Sequence, residues 1–303
     1  MGCDYRTPFR LDWFPMDSEA AVSLPRPALR PYISRYAGFR ATGLPPTLHH
    51  GLPSTEVDLI ISLARPIDIV QMPNSTQSPA AFHALLAGLQ TAPAVIRMER
   101  EAFGIHVFIK ALAARAILGV SSTELASHVV DLSDLWRNRT KGLVDSLCAA
   151  ATWQQRFDIL DKFFLARLAP RDTRPEVSWA LNTLRRSHGA IPIQHLADET
   201  GFSRRHFSER FQDAIGVSPK SFARVLRFER ACHLIAGRSM SLAHVAHACG
   251  FTDQAHMTRE WNALAGCSPR EWIARELPFL QDYELGGSDT ELHEAQSLHQ
   301  RRI

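Results

Sequence analysis

The chain has 303 residues, 45% of them hydrophobic and 21% charged, enough for two ordinary domains with their own cores and unlike a disordered or fibrous composition. Its longest apolar stretches, residues 57–64 and 105–109, stop well short of the roughly 18 residues of a membrane helix, so no bilayer partner is expected. A formal net charge of +3 names no nucleic-acid partner by itself. The five cysteines, Cys3, Cys148, Cys232, Cys249 and Cys267, are scattered and never form C-x-x-C, which argues against a disulfide framework or a thiolate zinc site and for a reducing cytoplasm.

In chain order, residues 1–22 read as a disordered arm. Gly2 and Cys3 hint at acylation, but Arg6 stands where a myristoylation signal wants Ser or Thr. Residues 23–169 read as an amino-terminal domain. Its first part, to about residue 110, has the period of strands in residues 32–41, 56–72 and 93–110, separated by Pro- and Gly-rich turns, which predicts a small antiparallel sheet or barrel. From about 111 the period becomes helical. Ser121 with Glu124, and Thr152 with Gln155, have the spacing of capping boxes, and Phe157, Leu160, Phe163, Phe164 and Leu168 form one apolar stripe that must dock on something. Residues 170–175, with two prolines, read as a linker. Residues 176–277 are helical throughout, and 278–303 are polar enough to be a flexible tail. The fold class is therefore an α+β domain of antiparallel β-structure with packed helices, followed by an all-α domain.

The second domain spells one pattern twice. "IQHLADETGF" is a short helix ending at Gly201; Ser203 can cap a second helix that places Phe207 and Phe211 on its inner face. This is the sequence form of a helix-turn-helix. "GVSP" then supplies a glycine stop, a serine cap and a proline at the first helical position, starting a connecting helix over about 218–236. "LAHVAHACGF" restarts the pattern, with Thr252 in the place of Ser203, Met257 and Trp261 in the places of Phe207 and Phe211, and Ser268 with Glu271 as a capping box. The second copy is one residue longer between its glycines. A connector of this length spans about 28 Å, of the order of the roughly 34 Å between successive major grooves, so one chain can present two reading helices. Residues 201–238 also hold eight Arg or Lys against three acids, a DNA footprint or a solvated face.

With these motifs, residues 176–277 resemble the DNA-binding domain of the AraC/XylS family of bacterial transcription regulators, and residues 105–136 more loosely resemble the amino-terminal domain of one subgroup. The resemblance implies a double helix-turn-helix on double-stranded DNA, contact with RNA polymerase, homodimerisation, and a small-molecule effector acting through the amino-terminal domain; it implies no catalysis and no cofactor. The family's base-reading positions fall on Arg205, Ser208 and Glu209 in the first copy and on Gln254, His256 and Arg259 in the second. Glu209 departs from the family's usual Arg. Gln pairs with adenine and Arg with guanine, so the second copy is chemically the better reader. Ser203, Lys220, Thr252 and Arg270 stand near helix starts as phosphate contacts, with capping or solvation as the plainer alternative. Phe202, Phe207, Phe211, Phe251, Met257 and Trp261 have core spacing.

Other chemistries are weaker. His49, His50 and Glu56 faintly resemble the metal run of cupins, but adjacent histidines point to opposite faces of a strand. His106 and Glu99 flank an expected hairpin as an isolated pair. Cys148 lies in an apolar helix where an inert buried thiol is expected, and the Pro-Cys-His-Arg run of alkyl-accepting relatives is absent. Two alternatives stay open: an interaction or dimerisation module without a small ligand, and a DNA-associated enzyme. Activator and repressor are not distinguished.

Overall fold

The computed structural model describes residues 18–169, 174–237 and 240–275. Among the described residues the amino-terminal part contains ten strands: β1 (Ser18–Ser23), β2 (Ile33–Thr42), β3 (Thr47–Gly51), β4 (Glu56–Ser62), β5 (Ile67–Gln71), β6 (Ala80–Phe82), β7 (Ala84–Ala87), β8 (Ala94–Met98), β9 (Glu101–Lys110) and β10 (Val129–Asp131). They form a six-stranded sheet in the order β1-β2-β9-β4-β7-β10 and a four-stranded sheet in the order β3-β8-β5-β6, all pairs antiparallel. The three stretches with strand period all form strands. Two details differ from expectation. Residues 18–22 of the expected arm pair with β2 as an edge strand, while the acylation candidates Gly2 and Cys3 lie outside the described residues. β8 and β9 do not form a hairpin: β8 pairs with β3 and β5, β9 with β2 and β4, so the turn at Glu99 carries the chain from one sheet to the other.

Alternation along the strands decides which sheet face meets which layer. Val57, Leu59 and Ile61 of β4 and Ile105, Val107 and Ile109 of β9 join one core with the helices, whereas Ile60 and Leu85 belong to the core shared with the second sheet. The helices are α1 (Ala114–Leu118), α2 (Ser122–Leu125), α3 (Leu132–Trp136), α4 (Asn138–Ala149) and α5 (Trp153–Leu165). Both expected capping boxes are present, Ser121 with Glu124 at α2 and Thr152 with Gln155 at α5. The α5 stripe docks on the sheet: Phe157, Leu160 and Phe164 are buried, with Phe163 and Leu168 packed at the margin. Each fully buried side chain of this kind contributes roughly 1.5–3 kcal/mol. Asp161, on the same helix, is buried and accepts from the Tyr36 hydroxyl at 2.9 Å and the Arg26 backbone N–H at 3.1 Å.

The face of the large sheet toward the second sheet also carries a polar layer. Arg35 lies 3.6 Å over the Phe108 ring, on which His106 also stacks. His106 Nε2 is 2.9 Å from Asp58 Oδ1, and Glu56 accepts from Ser34 and pairs with Arg35. Glu56 and His106, candidates for metal or catalysis by sequence, are thus engaged in structural contacts. Cys148 corrects another expectation: it lies on the exposed side of α4, because Leu143 and Leu147 take the buried face. Partial burial and Asp145 hold its thiol above its ordinary pKa, so it stays a neutral thiol.

The carboxy-terminal part is all helix: α6 (Pro175–Arg186), α7 (Ile193–Glu199), α8 (Arg204–Ile215), α9 (Pro219–Ala236), α10 (Leu242–Ala248), α11 (Gln254–Ala265) and α12 (Pro269–Arg275). The expected linker 170–175 ends earlier than its sequence suggests, since Pro175 opens α6 at a position where its missing N–H costs nothing. Residues 170–173, and the tail from 276, lie outside the described residues. Helix α9 divides its side chains between two cores: Phe222, Ala223 and Leu226 join α6–α8, and Val225, Phe228, Ala231, Cys232 and Ile235 join α10–α12. Among the described residues no helix is long and apolar enough to cross a membrane.

Candidate nucleic-acid interface

Each helix-turn-helix is held by the same devices. Gly201 (φ +72°) and Gly250 (φ +74°) occupy the left-handed turn that only glycine adopts freely. Phe207 and Phe211 of α8, and Met257 and Trp261 of α11, are buried, as their spacing predicts; Phe251 is buried and Phe202 packs at the edge of its core. Ser203 caps α8, accepting from the His206 N–H. The equivalent cap of α11 is not Thr252 but Asp253, which accepts from the His256 N–H at 2.6 Å. Thr252 is therefore the extra residue of the second copy, inserted before the cap, and the repeats align Ser203 with Asp253, Arg205 with Ala255 and Glu209 with Arg259. Sequence could not locate this insertion, because Ser, Thr and Asp are all good caps.

On α8 the outward face carries Arg204, Arg205 and Glu209, all exposed, with Ser208 half-buried. Arg205 pairs with Glu209 one turn on, Nε to Oε1 at 2.9 Å, and Ser208 Oγ donates back to the Arg204 carbonyl. On α11 the outward face carries Gln254 and Arg259, with His256 and Thr258 half-buried. Thr258 repeats the Ser208 back-bond, donating to the Gln254 carbonyl. His256 lies edge-on to Phe251 and its Nδ1 accepts from the Thr252 N–H at 3.3 Å, so its ring closes the turn; His206 stands edge-on to Phe202 likewise. Lys220 and Arg270 occupy the same second helical position of α9 and α12, both exposed. The expected capping box of α12 is present, with Ser268 N–H donating to Glu271 and Glu271 N–H to Ser268 Oγ.

Much of the basic stretch 201–238 serves the fold. Arg210 pairs with Glu176 of α6, and Arg224 of α9 pairs with Glu260 of α11. Arg227 donates to the Gly189 carbonyl and faces the Phe251 ring. The hydrogen bond from Arg210 holds the Glu176 carboxyl below its ordinary pKa. Each recognition helix is thus tied to the helix behind it by one ion pair, with the charges reversed between the two units. Sequence reasoning missed these ties, because their partners lie 34 and 36 residues apart.

Glu229, on the same connecting helix, was also invisible in sequence. Its carboxylate accepts from the Thr55 backbone N–H at 2.8 Å and from Thr55 Oγ1 at 3.0 Å. Burial pushes its pKa from 4.5 to about 7 against the lowering effect of these bonds and of Arg185. The sign follows from linkage: the neutral carboxyl is favoured in the folded state, so its contribution is full below about 4.5 and lost as pH rises through about 7. We expect the Glu229→Gln protein to lose less stability than wild type between pH 5 and pH 8, measured by urea unfolding; parallel profiles would contradict this assignment.

A β-domain with packed helices, followed by two helix-turn-helix units on one connecting helix, is the architecture of the described residues, with the helix-turn-helix units in the carboxy-terminal third of the chain. Comparison with known proteins agrees. Residues 196–275 match the helix-turn-helix domain family model, and residues 22–131 match a domain of unknown function (DUF6597). The chain is 33% identical over 86 residues to the putative HTH-type transcriptional regulator YkgA of Escherichia coli, covering 28% of this chain and 36% of that one. It is 30% identical over 82 residues to the transcriptional activator RhaS of Escherichia fergusonii, covering 27% and 30%. The chain thus spans about a third of the length of these curated relatives. The solved structure of ToxT from Vibrio cholerae aligns with 85% of this chain and 98% of its own at 9% identity and a TM-score of 0.46. Residues 196–275 thus match a helix-turn-helix domain, and these curated relatives, each matched over 27–28% of this chain, are transcriptional regulators.

Proposed function

We propose that the protein is a sequence-specific regulator, of the activator kind, whose α8 and α11 enter successive major grooves of one DNA site. The observation that carries this reading is the pair of repeated reading units, each exposing its outer face and joined by the 18-residue α9, about 27 Å long. In this reading Gln254 and Arg259 are the principal base readers, since both are exposed on α11 and Arg259 has no ion pair among the described residues. His256 would first have to leave its turn. In the first unit Arg205 and Glu209 neutralise each other, so Arg205, Ser208 and Glu209 read bases only if DNA displaces that pair. Such an exposed pair is held weakly in water, and a bidentate guanine contact can displace it. Lys220 and Arg270 are phosphate contacts at matched positions, with Ser203 and Thr252 beside the helix starts.

The amino-terminal domain, in the same proposal, pairs two copies of the chain in a bacterial cytoplasm and presents the complex to RNA polymerase. Control by a small-molecule effector is one reading. A domain that works without a ligand is the other; between the sheets, Ile69, Met72, Phe82 and Leu85 pack beside the Arg35–Phe108–His106 stack. A small polar cavity of about 30 Å³ between the β-domain helices and α8 is lined by Arg115, Ser121, Arg174 and Asp213 among others.

The test is selection of a bound sequence from random DNA followed by binding of Arg259→Ala. We expect a loss of about 1–3 kcal/mol at one guanine and relaxed preference at that position. Equal weakening on every sequence would instead make Arg259 a phosphate contact, and no selected sequence with the wild-type chain would sink the reading.

A further inference from the structure

The amino-terminal domain touches both reading units and the helix between them. The loop between β3 and β4 makes two of these contacts. Leu52 packs on the core of α10–α12, and Thr55, buried, is bonded through both its backbone N–H and its hydroxyl to Glu229 of α9. Pro93, just before β8, lies against the end of α11: a Cβ on Gly266, which terminates that helix, would stand 3.1 Å from Pro93 Cγ.

The first unit is met by a different segment. Thr123 of α2 donates to the Asp213 carbonyl in the last turn of α8. Gly216, which terminates α8 at φ +94°, lies so close to α2 that a Cβ there would stand 2.5 Å from the Ser122 carbonyl oxygen. Leu89, Ala111 and Leu112 join the core of α6–α8. The amino-terminal domain therefore abuts the terminating glycine of each recognition helix, at repeat-equivalent positions, from two separate segments.

We propose that the β3–β4 loop and α2 are positioning elements for DNA reading, fixing the separation and relative rotation of α8 and α11 so that the amino-terminal domain, together with α9, sets the half-site spacing the protein accepts. This rests on the DNA-reading function proposed above. The physical reason is that α9 gives opposite ends of its apolar surface to the two cores, so any bend or twist along it re-aims one reading helix against the other. A rigid body docked on both reading units and on the middle of α9 at Glu229 removes that freedom. One base pair of added spacing moves a half-site by roughly 3.4 Å and rotates it by roughly 34°, and a clamped pair of helices cannot follow both.

Two measurements on the full chain test this. In the first, without DNA, spectroscopic distance labels are placed at the exposed, repeat-equivalent positions Gln212 and Asn262. Wild type and Glu229→Gln, whose amide can still pair with Thr55, should give one narrow distance distribution; Thr55→Ala with Glu229→Ala should broaden it or add a second population. Thr55→Ala alone keeps the backbone bond and should fall between, which preserves the test if the double variant does not fold. In the second, the selected DNA site is lengthened by one base pair between its halves. Wild type should lose at least about tenfold in affinity and the double variant less than about threefold. An unchanged distance distribution, together with an unchanged spacing penalty, would overturn the clamp. A wild-type chain that selects no sequence would refute DNA reading, and the DNA-free distances would still decide whether the domains hold the two helices in place.

Discussion

Replacing Trp261 with alanine is expected to melt the second reading unit and remove its half of the DNA contact, at a cost of about 3–5 kcal/mol. Trp261 is 1% exposed and meets Phe228 of α9 at 4.9 Å and Trp272 of α12 at 5.3 Å, both edge-on. One ring thus joins the recognition helix to the helices before and after it. The small core of α10–α12 offers little other bulk to collapse into the space left behind. Two readouts check the expectation: a urea midpoint that falls by this amount, and fast hydrogen exchange through α10–α12 while the strands of the amino-terminal domain stay protected. Trp261→Phe should cost much less, because the indole Nε1–H has no hydrogen-bond partner to lose. A stability change below about 1 kcal/mol for the alanine variant would mean that the unit is held from outside, by the amino-terminal domain.

The second large effect is expected in the other domain. Asp161→Ala removes the acceptor shared by the Tyr36 hydroxyl and the Arg26 N–H. Tyr36 is fully buried, and its pKa is raised by burial and by the Asp161 carboxylate, so it remains a protonated donor at any working pH. The buried Tyr36 donor left without a partner costs about 1–3 kcal/mol, the part-buried Arg26 N–H adds less, and α5 loses its tie to β2 and to the chain entering it. Asp161→Asn, which retains an acceptor oxygen, should recover most of the loss in thermal unfolding. Equal destabilisation by both variants would indicate that the negative charge, through Arg26 at 3.5 Å, matters more than the acceptor.

Local signals carried far in this chain. The caps at Ser121, Thr152, Ser203, Ser218 and Ser268, the glycine stops at Gly216 and Gly266, and the buried faces of α5, α8 and α11 were all readable, because each depends on residues within one or two helical turns. Thr252 has the sequence form of a cap that Asp253 makes, since two adjacent residues have equal capping chemistry and only backbone geometry separates them. Short strands β6, β7 and β10, of three or four residues, have too few alternations to show a period. Cys148 read as buried because a run of apolar residues does not say which face of α4 turns inward.

What the sequence determined by itself is the class of the protein: a duplicated helix-turn-helix with matched caps and matched core positions, preceded by a domain of strand period. Duplication is visible because it is written in local order. What only the tertiary structure decided is how freely those units act. The Arg205–Glu209 pair was within reach of sequence, but the reversed ties of Glu176 to Arg210 and of Arg224 to Glu260 were not. Nor was the seating of Thr55 on Glu229, 174 residues away, nor the approach of Ser122 and Pro93 to the two terminating glycines. Charge and hydrogen-bond partners across such separations obey no sequence period; they are chosen when the domains dock, because a buried carboxylate must be paired by whatever donor the fold brings to it.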